Sequence, residues 1–250
     1  MFAVSEDGTR IAYEVVGTGR PLVLLHGFTA DHTIWREVGY VERLVAFGRQ
    51  LILIDGRGHG RSDKPHVPDW YDLGRCATDV AAVLDDIGAV DADICGHSLG
   101  GTIALAFAAH YRNRVRSLVV NGAHPFGQDL RLLRAAVNVG MEPWISYLRT
   151  ENWPLTEGNV RQLRCNDLEA LRACVALDRA DRSAPFVSFD RPLLAISGEA
   201  DPLCRKVRDF AAFAGADHIE LAGCNHFEAF LAVDPICARM DEFLSTLAGA

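Results

Sequence analysis

The sequence predicts an α/β fold with a mostly parallel central sheet, helices on its faces and an inserted helical cap. Three observations support this prediction. Short apolar runs, each closed by Gly, Asp, Asn, Ser or His, are typical of strands buried on both faces. Amphipathic segments with helical spacing lie between these runs, and such alternation favours parallel pairing. The chain has 250 residues, of which 49% are hydrophobic, so residues 1–250 can form a single domain with a sizeable core.

The first part of the chain alternates apolar and polar residues around Asp7-Gly8. This dipeptide favours a tight turn, so residues 2–17 predict an antiparallel pair of strands. Five buried strands are then predicted, from the runs PLVLLHG, QLILIDGRG, DADICGHS, RSLVVNGA and RPLLAISGEAD. A helix is expected before the third of these runs, because Val80, Val83, Leu84 and Ile87 recur at helical spacing.

The alternation of strands and helices stops between residues 123 and 187. Leu130, Leu133 and Val137 predict one amphipathic helix there, and a second is predicted around Leu171. This segment is interpreted as an insertion that covers one end of the sheet. Its eight arginines are matched by eight acidic residues, which favours a solvated mixed surface over an anion site. After it, an apolar stripe that ends at Leu247 predicts a C-terminal helix.

The composition excludes several partners. A formal net charge of −8 and a pI of about 5.6 argue against nucleic acid, which requires clustered Lys and Arg. No apolar run is long enough to cross a bilayer, and the acidic start MFAVSED does not resemble a secretion signal, so we expect a cytoplasmic protein without a membrane partner. Seven cysteines without a CxxC pair fit a reducing compartment.

A serine between glycines is the main chemical signal. In CGHSLGG, Ser98 follows the strand-like DADIC and precedes the helix-like LGGTIALAFAAHY. A sharp turn between a strand and a helix exposes a serine nucleophile at the carboxyl end of a parallel strand, where ligands collect. Ser98 is therefore the candidate nucleophile.

A serine hydroxyl needs a base, and the base needs an orienting group. SGEADPL follows the last long apolar run and offers Asp201, while AGCNHFEAF offers His226 in a loop before a helix. The order Ser98, Asp201, His226 is the order expected when all three lie at strand ends of a hydrolase sheet. Glu199 is an alternative orienting acid because it lies two residues before Asp201.

These segments together resemble the α/β-hydrolases of the compact bacterial type, nearly from end to end. LLHGF, DGRGHGRSD, the serine turn and the acid and histidine loops occur in the order of that family. The resemblance implies that Ser98, Asp201 and His226 are catalytic. It also implies that the backbone amides of Phe28 and Leu99 form the oxyanion hole, and that residues 123–187 are a variable cap that carries substrate choice.

Five residues are candidates for the substrate pocket. His97 lies inside the serine turn, His124 lies at a strand end entering the cap, and three aromatic residues lie in or beside the cap: Phe126, Trp144 and Trp153. Core packing is the alternative for each. No metal constellation and no dinucleotide fingerprint occur, so no metal and no cofactor are expected.

The expected function is hydrolysis of a carboxylic ester through an acyl-enzyme, with a small molecule as the substrate. Two alternatives use the same triad: an enol-lactonase of the 3-oxoadipate type and a carbon–carbon bond hydrolase. A non-catalytic receptor for a small ligand is an alternative from another class. The substrate and the oligomeric state remain open.

Overall fold

Eight strands of the described chain form one sheet. The computed structural model describes residues 1–246, and its strands are β1 (Phe2–Val4), β2 (Arg10–Val16), β3 (Arg20–Leu25), β4 (Arg49–Ile54), β5 (Ala92–His97), β6 (Val115–Asn121), β7 (Leu193–Gly198) and β8 (Asp217–Leu221). Their order across the sheet is β1-β2-β4-β3-β5-β6-β7-β8. The antiparallel pairs are β1 with β2 and β2 with β4, and every other neighbouring pair is parallel.

Helices cover both faces of this sheet. They are α1 (Ile34–Glu37), α2 (Tyr40–Ala46), α3 (Leu73–Asp86), α4 (Leu99–His110), α5 (Arg131–Val139), α6 (Met141–Thr150), α7 (Glu157–Arg164), α8 (Leu168–Cys174), α9 (Cys204–Ala214), α10 (His226–Leu231) and α11 (Val233–Thr246). Short 3₁₀ segments cover Pro68–Tyr71, Arg112–Arg114 and Ala184–Phe186.

The strands bury alternate residues on opposite faces of the sheet. Along β3, Val23 and Leu25 belong to the core under α3, α4 and α9, whereas Leu22 and Leu24 belong to the core under α2 and α11. All four side chains are at most 3% exposed. This two-sided burial explains why the parallel strands are continuous apolar runs in the sequence.

The segment between β6 and β7 contains four α-helices, α5 to α8, where the sequence analysis expected two. The expected pair corresponds to α5 and α8. The helix α6 has Pro143 in its first turn, and α7 begins with a capping box in which Thr156 and Asn159 bond each other's backbone. The spacing of Thr156 and Asn159 is the sequence signal that could have predicted the start of α7.

The C-terminal helix begins one residue before Asp234, which lies in its first turn and pairs with Arg43. Leu247, the last member of its predicted apolar stripe, lies outside the described residues. Within residues 1–246, no helix combines the length and the apolar character needed to cross a membrane.

Candidate active site

Ser98 occupies a strained turn between β5 and α4. Its φ of 55° is unusual for a residue with a side chain. The flanking glycines explain how the turn fits: a Cβ on Gly96 would lie 2.2 Å from the carbonyl oxygen of Gly100, and a Cβ on Gly100 would lie 2.0 Å from that of Leu25. The turn is held by the Ser98 amide, which donates to the carbonyl of Asn121 at 2.8 Å. Backbone contacts therefore determine where the Ser98 hydroxyl lies.

An acid and a histidine meet at the ends of the neighbouring strands. Nδ1 of His226 lies 2.7 Å from Oδ2 of Asp201, whose side chain is 1% exposed. The other carboxylate oxygen of Asp201 accepts a hydrogen bond from the Leu203 amide at 2.8 Å. Glu199 is exposed and accepts a hydrogen bond from the Gly223 amide instead. The geometry favours Asp201 over Glu199 as the orienting acid.

His226 is the first residue of α10, which Asn225 caps. The Asn225 side chain accepts hydrogen bonds from the amides of Phe227 and Glu228, and the Glu228 side chain accepts one from the Asn225 amide. This capping box holds the start of the helix, and with it the imidazole. Gly122 leaves room for the ring, because a Cβ there would lie 2.6 Å from Cε1 of His226.

Ser98, Asp201 and His226 line one cavity of about 570 Å³ between the sheet and α5 to α7. Phe28, Trp144, Trp153, Phe227 and Phe230 contribute aromatic surface, and the aliphatic wall includes Ile34, Leu130, Leu132, Leu133, Ala136, Leu148 and Leu163. Apart from Asp201, its acidic lining residues are Asp31, Glu37 and Asp129. None of the described residues that line it is Arg or Lys. The cavity is therefore mainly apolar, and its fixed charge is negative.

The two amides expected to form an oxyanion hole are unpaired. Phe28 lines the cavity, and Leu99 is the first residue of α4, directly after Ser98. Within residues 1–246, neither amide donates a hydrogen bond to another group of the protein. Two unpaired donors beside a serine hydroxyl are the arrangement that stabilises a developing oxyanion.

His97, Trp144 and Trp153 line the cavity, as the sequence analysis expected. The indole nitrogen of Trp144 donates to Oγ1 of Thr29 at 2.8 Å, which fixes the ring beside Phe28. The His97 ring lies between two others, with its centroid 4.3 Å from that of Phe230 and 5.0 Å from that of His226. Burial lowers the pKa of His97 well below its usual range, so the ring beside His226 is neutral.

The structure does not place His124 and Phe126 on the wall of this cavity. Both line a separate space of about 20 Å³ beside Thr102 and Arg179. His124 and Phe126 follow the end of β6, but the chain turns away from the catalytic cavity there. Their side chains therefore do not lie beside Ser98. Burial lowers the pKa of His124 to about 4, and neither of its ring nitrogens has a hydrogen-bond partner among the described residues.

Several cavity residues were missed in the sequence analysis. Phe227 and Phe230 lie on α10. Phe230 comes four residues after His226, and this helical spacing could have indicated it, whereas Phe227 is adjacent to His226 and had no such signal. Gln162 on α7 and Thr29 had no such signal, because only the packing of the cap onto the loop after β3 brings them to the cavity.

One group of side chains has the donor atoms of a metal site. The ligand atoms of Asp31, His32 and Asp55 lie within 4.8 Å of one another. Asp55 already accepts hydrogen bonds from the amides of His32 and Arg61, and its Oδ1 lies 2.7 Å from Nδ1 of His32. These bonds connect the loops after β3 and β4, so the group has a structural explanation that requires no ion.

Comparisons with known proteins identify the family of this chain. A family model described as alpha/beta hydrolase fold matches residues 20–143. A 2-succinyl-6-hydroxy-2,4-cyclohexadiene-1-carboxylate synthase from Klebsiella pneumoniae is 30% identical over 222 residues, which cover 79% of this chain and 83% of that protein. The chain belongs to the α/β hydrolase fold family. The serine turn, the acid and the histidine therefore follow strands of an α/β hydrolase sheet.

Other members of the α/β hydrolase family extend this likeness. A non-heme haloperoxidase from Rhodococcus erythropolis is 31% identical over 78% of this chain, and the match spans 63% of that relative, less than two thirds of its length. The crystal structure of an esterase from a Rhodococcus species has a TM-score of 0.81 and 26% identity, covering 99% of this chain and 98% of that one. An enol-lactonase from Burkholderia xenovorans has a TM-score of 0.84 at 24% identity, covering 98% and 100%. The α/β hydrolase fold is thus common to relatives with different named activities, and the substrate has to be inferred from the site.

Proposed function

We propose that this α/β hydrolase cleaves carboxylic esters with uncharged acyl groups through an acyl-enzyme. Oγ of Ser98 attacks the ester carbonyl while Nε2 of His226 takes its proton, and Asp201 orients the imidazole. The amides of Phe28 and Leu99 stabilise the oxyanion. His226 then protonates the leaving alcohol, and a water molecule deprotonated by His226 releases the acid.

The proposed substrate class rests on the charges of the residues that line the catalytic cavity. A substrate with an additional carboxylate usually needs a dedicated Arg or Lys, because a charge transferred from water requires a partner. Among the described residues, the cavity wall has no such cation and carries three acidic side chains besides Asp201. Its aromatic and aliphatic wall instead suits an apolar acyl or alcohol group.

The same observation weighs against the two alternatives that share the triad. The enol-lactone of 3-oxoadipate carries a free carboxylate, and the diketone products of aromatic ring cleavage are anionic. Either substrate would bring a negative charge beside Asp31 and Glu37, while the third acid, Asp129, is paired with Arg131. The likeness to the enol-lactonase supports the fold and does not supply a cation.

Steady-state kinetics on three substrates tests the proposal. We expect a higher kcat/KM for p-nitrophenyl butyrate than for 3-oxoadipate enol-lactone or an anionic ring-cleavage diketone. A preference of about a hundredfold for either anionic substrate, roughly 2.7 kcal/mol at the transition state, would overturn the ester assignment.

Removal of the nucleophile separates an enzyme from a ligand receptor. Ser98→Ala should abolish ester turnover and labelling by a fluorophosphonate, while circular dichroism and thermal unfolding remain close to those of the wild type. The hydroxyl of Thr102, one helical turn later, donates to the Ser98 carbonyl and lies outside the catalytic cavity, so it should not replace the nucleophile. Persistent labelling of Ser98→Ala would refute the assignment, and wild-type protein without turnover would favour the receptor.

A further inference from the structure

A second cavity lies on the other side of the serine turn. It has a volume of about 300 Å³ and extends from α4 to α8 and the residues after it. Leu99 and Ile103 of α4 line one side, and Cys174 and Leu177 line the other. The catalytic cavity is lined by Phe28 and the second cavity by His59, and these two rings contact each other edge to face at a centroid distance of 5.8 Å.

Two of the three arginines that line the second cavity are neutralised. The guanidinium of Arg57 contacts the carboxylates of Asp79 and Asp7, and that of Arg182 donates to Asp72 at 2.8 Å. These pairs leave neither guanidinium available to an added anion without the loss of an existing ion pair.

Arg179 is different because its contacts are with neutral groups. Its Nη1 donates to Oγ1 of Thr102 at 3.0 Å and to Oε1 of Gln128 at 2.9 Å. Antiparallel backbone hydrogen bonds between Gln128 and Arg179 hold the base of the side chain. Within residues 1–246, Nε and Nη2 have no acceptor, and no carboxylate pairs with this guanidinium.

The guanidinium of Arg179 is buried, so the absence of a carboxylate partner among the described residues costs free energy. Arg179 as a residue is half-buried, but its guanidinium is desolvated, and this burial lowers its pKa. A desolvated charge normally has a partner of opposite charge. The nearest acid in the chain, Asp178, accepts hydrogen bonds from Arg134 and from the Leu130 amide.

We propose that the second cavity binds a small carboxylic acid with an apolar body, as its carboxylate, through Nε and Nη2 of Arg179. This edge of a guanidinium presents two parallel N–H groups, which match the two oxygens of a carboxylate. The apolar body would lie against Leu99, Ile103 and Leu177. The site is separate from the catalytic cavity, and the inference does not depend on the proposed esterase activity.

The size and wall of the cavity favour an organic acid over an inorganic anion. A volume of about 300 Å³ is at the lower end of the range of small-molecule sites. Inorganic phosphate would satisfy the charge but would leave the apolar wall uncovered. Three acidic residues also line this cavity. Asp72 and Asp178 are paired with Arg182 and Arg134, whereas Asp69 lies exposed and disfavours a second negative group on the ligand.

Calorimetric titration with benzoate tests the inference, with benzamide as the neutral isostere and phosphate as the inorganic anion. We expect benzoate to bind the wild-type protein, and benzamide and phosphate to bind at least about tenfold more weakly. Arg179→Gln should weaken benzoate binding by about tenfold or more. Arg182→Gln combined with Asp72→Asn is the matched control, because it removes a guanidinium of the same cavity together with its acidic partner, and it should change the affinity by less than about threefold.

Additional variants distinguish this site from the catalytic cavity. Ala173→Phe places a ring in the second cavity, which Ala173 lines, and should abolish benzoate binding. Labelling of Ser98 with a sulfonyl fluoride fills the catalytic cavity and should leave benzoate binding intact. Equal affinity in Arg179→Gln and wild type, tighter binding of phosphate than of benzoate, or loss of binding on labelling of Ser98 would each overturn the inference. If Arg179→Gln does not fold, the comparison of benzoate with benzamide and Ala173→Phe decides the question.

Discussion

Oδ2 of Asp201 lies 2.7 Å from Nδ1 of His226, whereas Glu199, two residues earlier in the same loop, accepts a hydrogen bond from the amide of Gly223. Two acids that the sequence places side by side thus have different partners. The short turn after β7 separates them, because it buries Asp201 and leaves Glu199 in solvent.

This difference predicts unequal effects of two similar substitutions. Asp201→Asn should lower kcat for p-nitrophenyl butyrate by about 10³-fold to 10⁴-fold, because an amide no longer holds the required histidine tautomer. Glu199→Gln should cost less than about tenfold. Steady-state kinetics on both variants gives the comparison, and reversed magnitudes would move the orienting role to Glu199.

The space left by Gly122 predicts a second effect on catalysis. Gly122→Ala places a methyl group 2.6 Å from Cε1 of His226, so the imidazole must move, and kcat should fall by about a hundredfold. Gly215→Ala is the matched control. Its φ of 64° equals that of Gly122 within a degree, and no atom lies within 4 Å of the added carbon. Both variants should lose stability in urea denaturation because of the positive φ, and Gly122→Ala should lose more because of the added contact; equal kcat values would show that the contact with His226 does not matter.

No Arg or Lys is among the described residues that line the catalytic cavity, so adding one should improve the turnover of anionic esters. Leu133 lines this cavity from α5, and Leu133→Arg should bind an anionic acyl group. The ratio of kcat/KM for p-nitrophenyl hemisuccinate to that for p-nitrophenyl butyrate should rise about tenfold. Leu133→Gln controls for polarity without charge and should leave the ratio within about twofold. The charge argument fails if both variants change the ratio equally.

The environment of His124 predicts a pH dependence of stability. Its pKa is lowered to about 4 in the folded protein, so the unfolded chain binds the proton more tightly. The free energy of unfolding therefore decreases as the pH falls below the unfolded pKa of about 6.5, and the decrease ends near the folded pKa. Between pH 7 and pH 5, His124 should lower the free energy of unfolding by about 2 kcal/mol.

Urea denaturation at both pH values measures this contribution. His124→Leu should lose less stability than the wild type between pH 7 and pH 5, by about 2 kcal/mol. Phe126→Leu is the control, because it changes a ring beside His124 without removing a titratable group, and it should keep the pH dependence of the wild type. Identical pH dependence in wild type and His124→Leu would show that His124 is not the group responsible.

Local patterns predicted seven of the eight strands, β1 to β7, and the residues proposed for the chemistry. The apolar runs of β3 to β7 are continuous because these strands are buried on both faces, and the serine turn is recognisable because its glycines allow close backbone contacts. Ser98 directly follows β5, and Asp201 and His226 come after β7 and β8; the carboxyl ends of these parallel strands share one edge of the sheet. Their convergence therefore followed from the sequence order alone.

The sequence by itself determined the α/β architecture, the family resemblance and the residues proposed for the chemistry, because these depend on backbone periodicity and strand ends. Only the tertiary structure decided which cap side chains face the catalytic cavity and which arginine of the second cavity has no acidic partner among the described residues. Arg182 pairs with Asp72, 110 residues away, and Arg134 takes the carboxylate of Asp178, 44 residues away. The packing of the cap helices on the sheet determines these ion pairs. Because the packing brings together residues that are far apart in the sequence, the spacing of charges along the chain does not predict them.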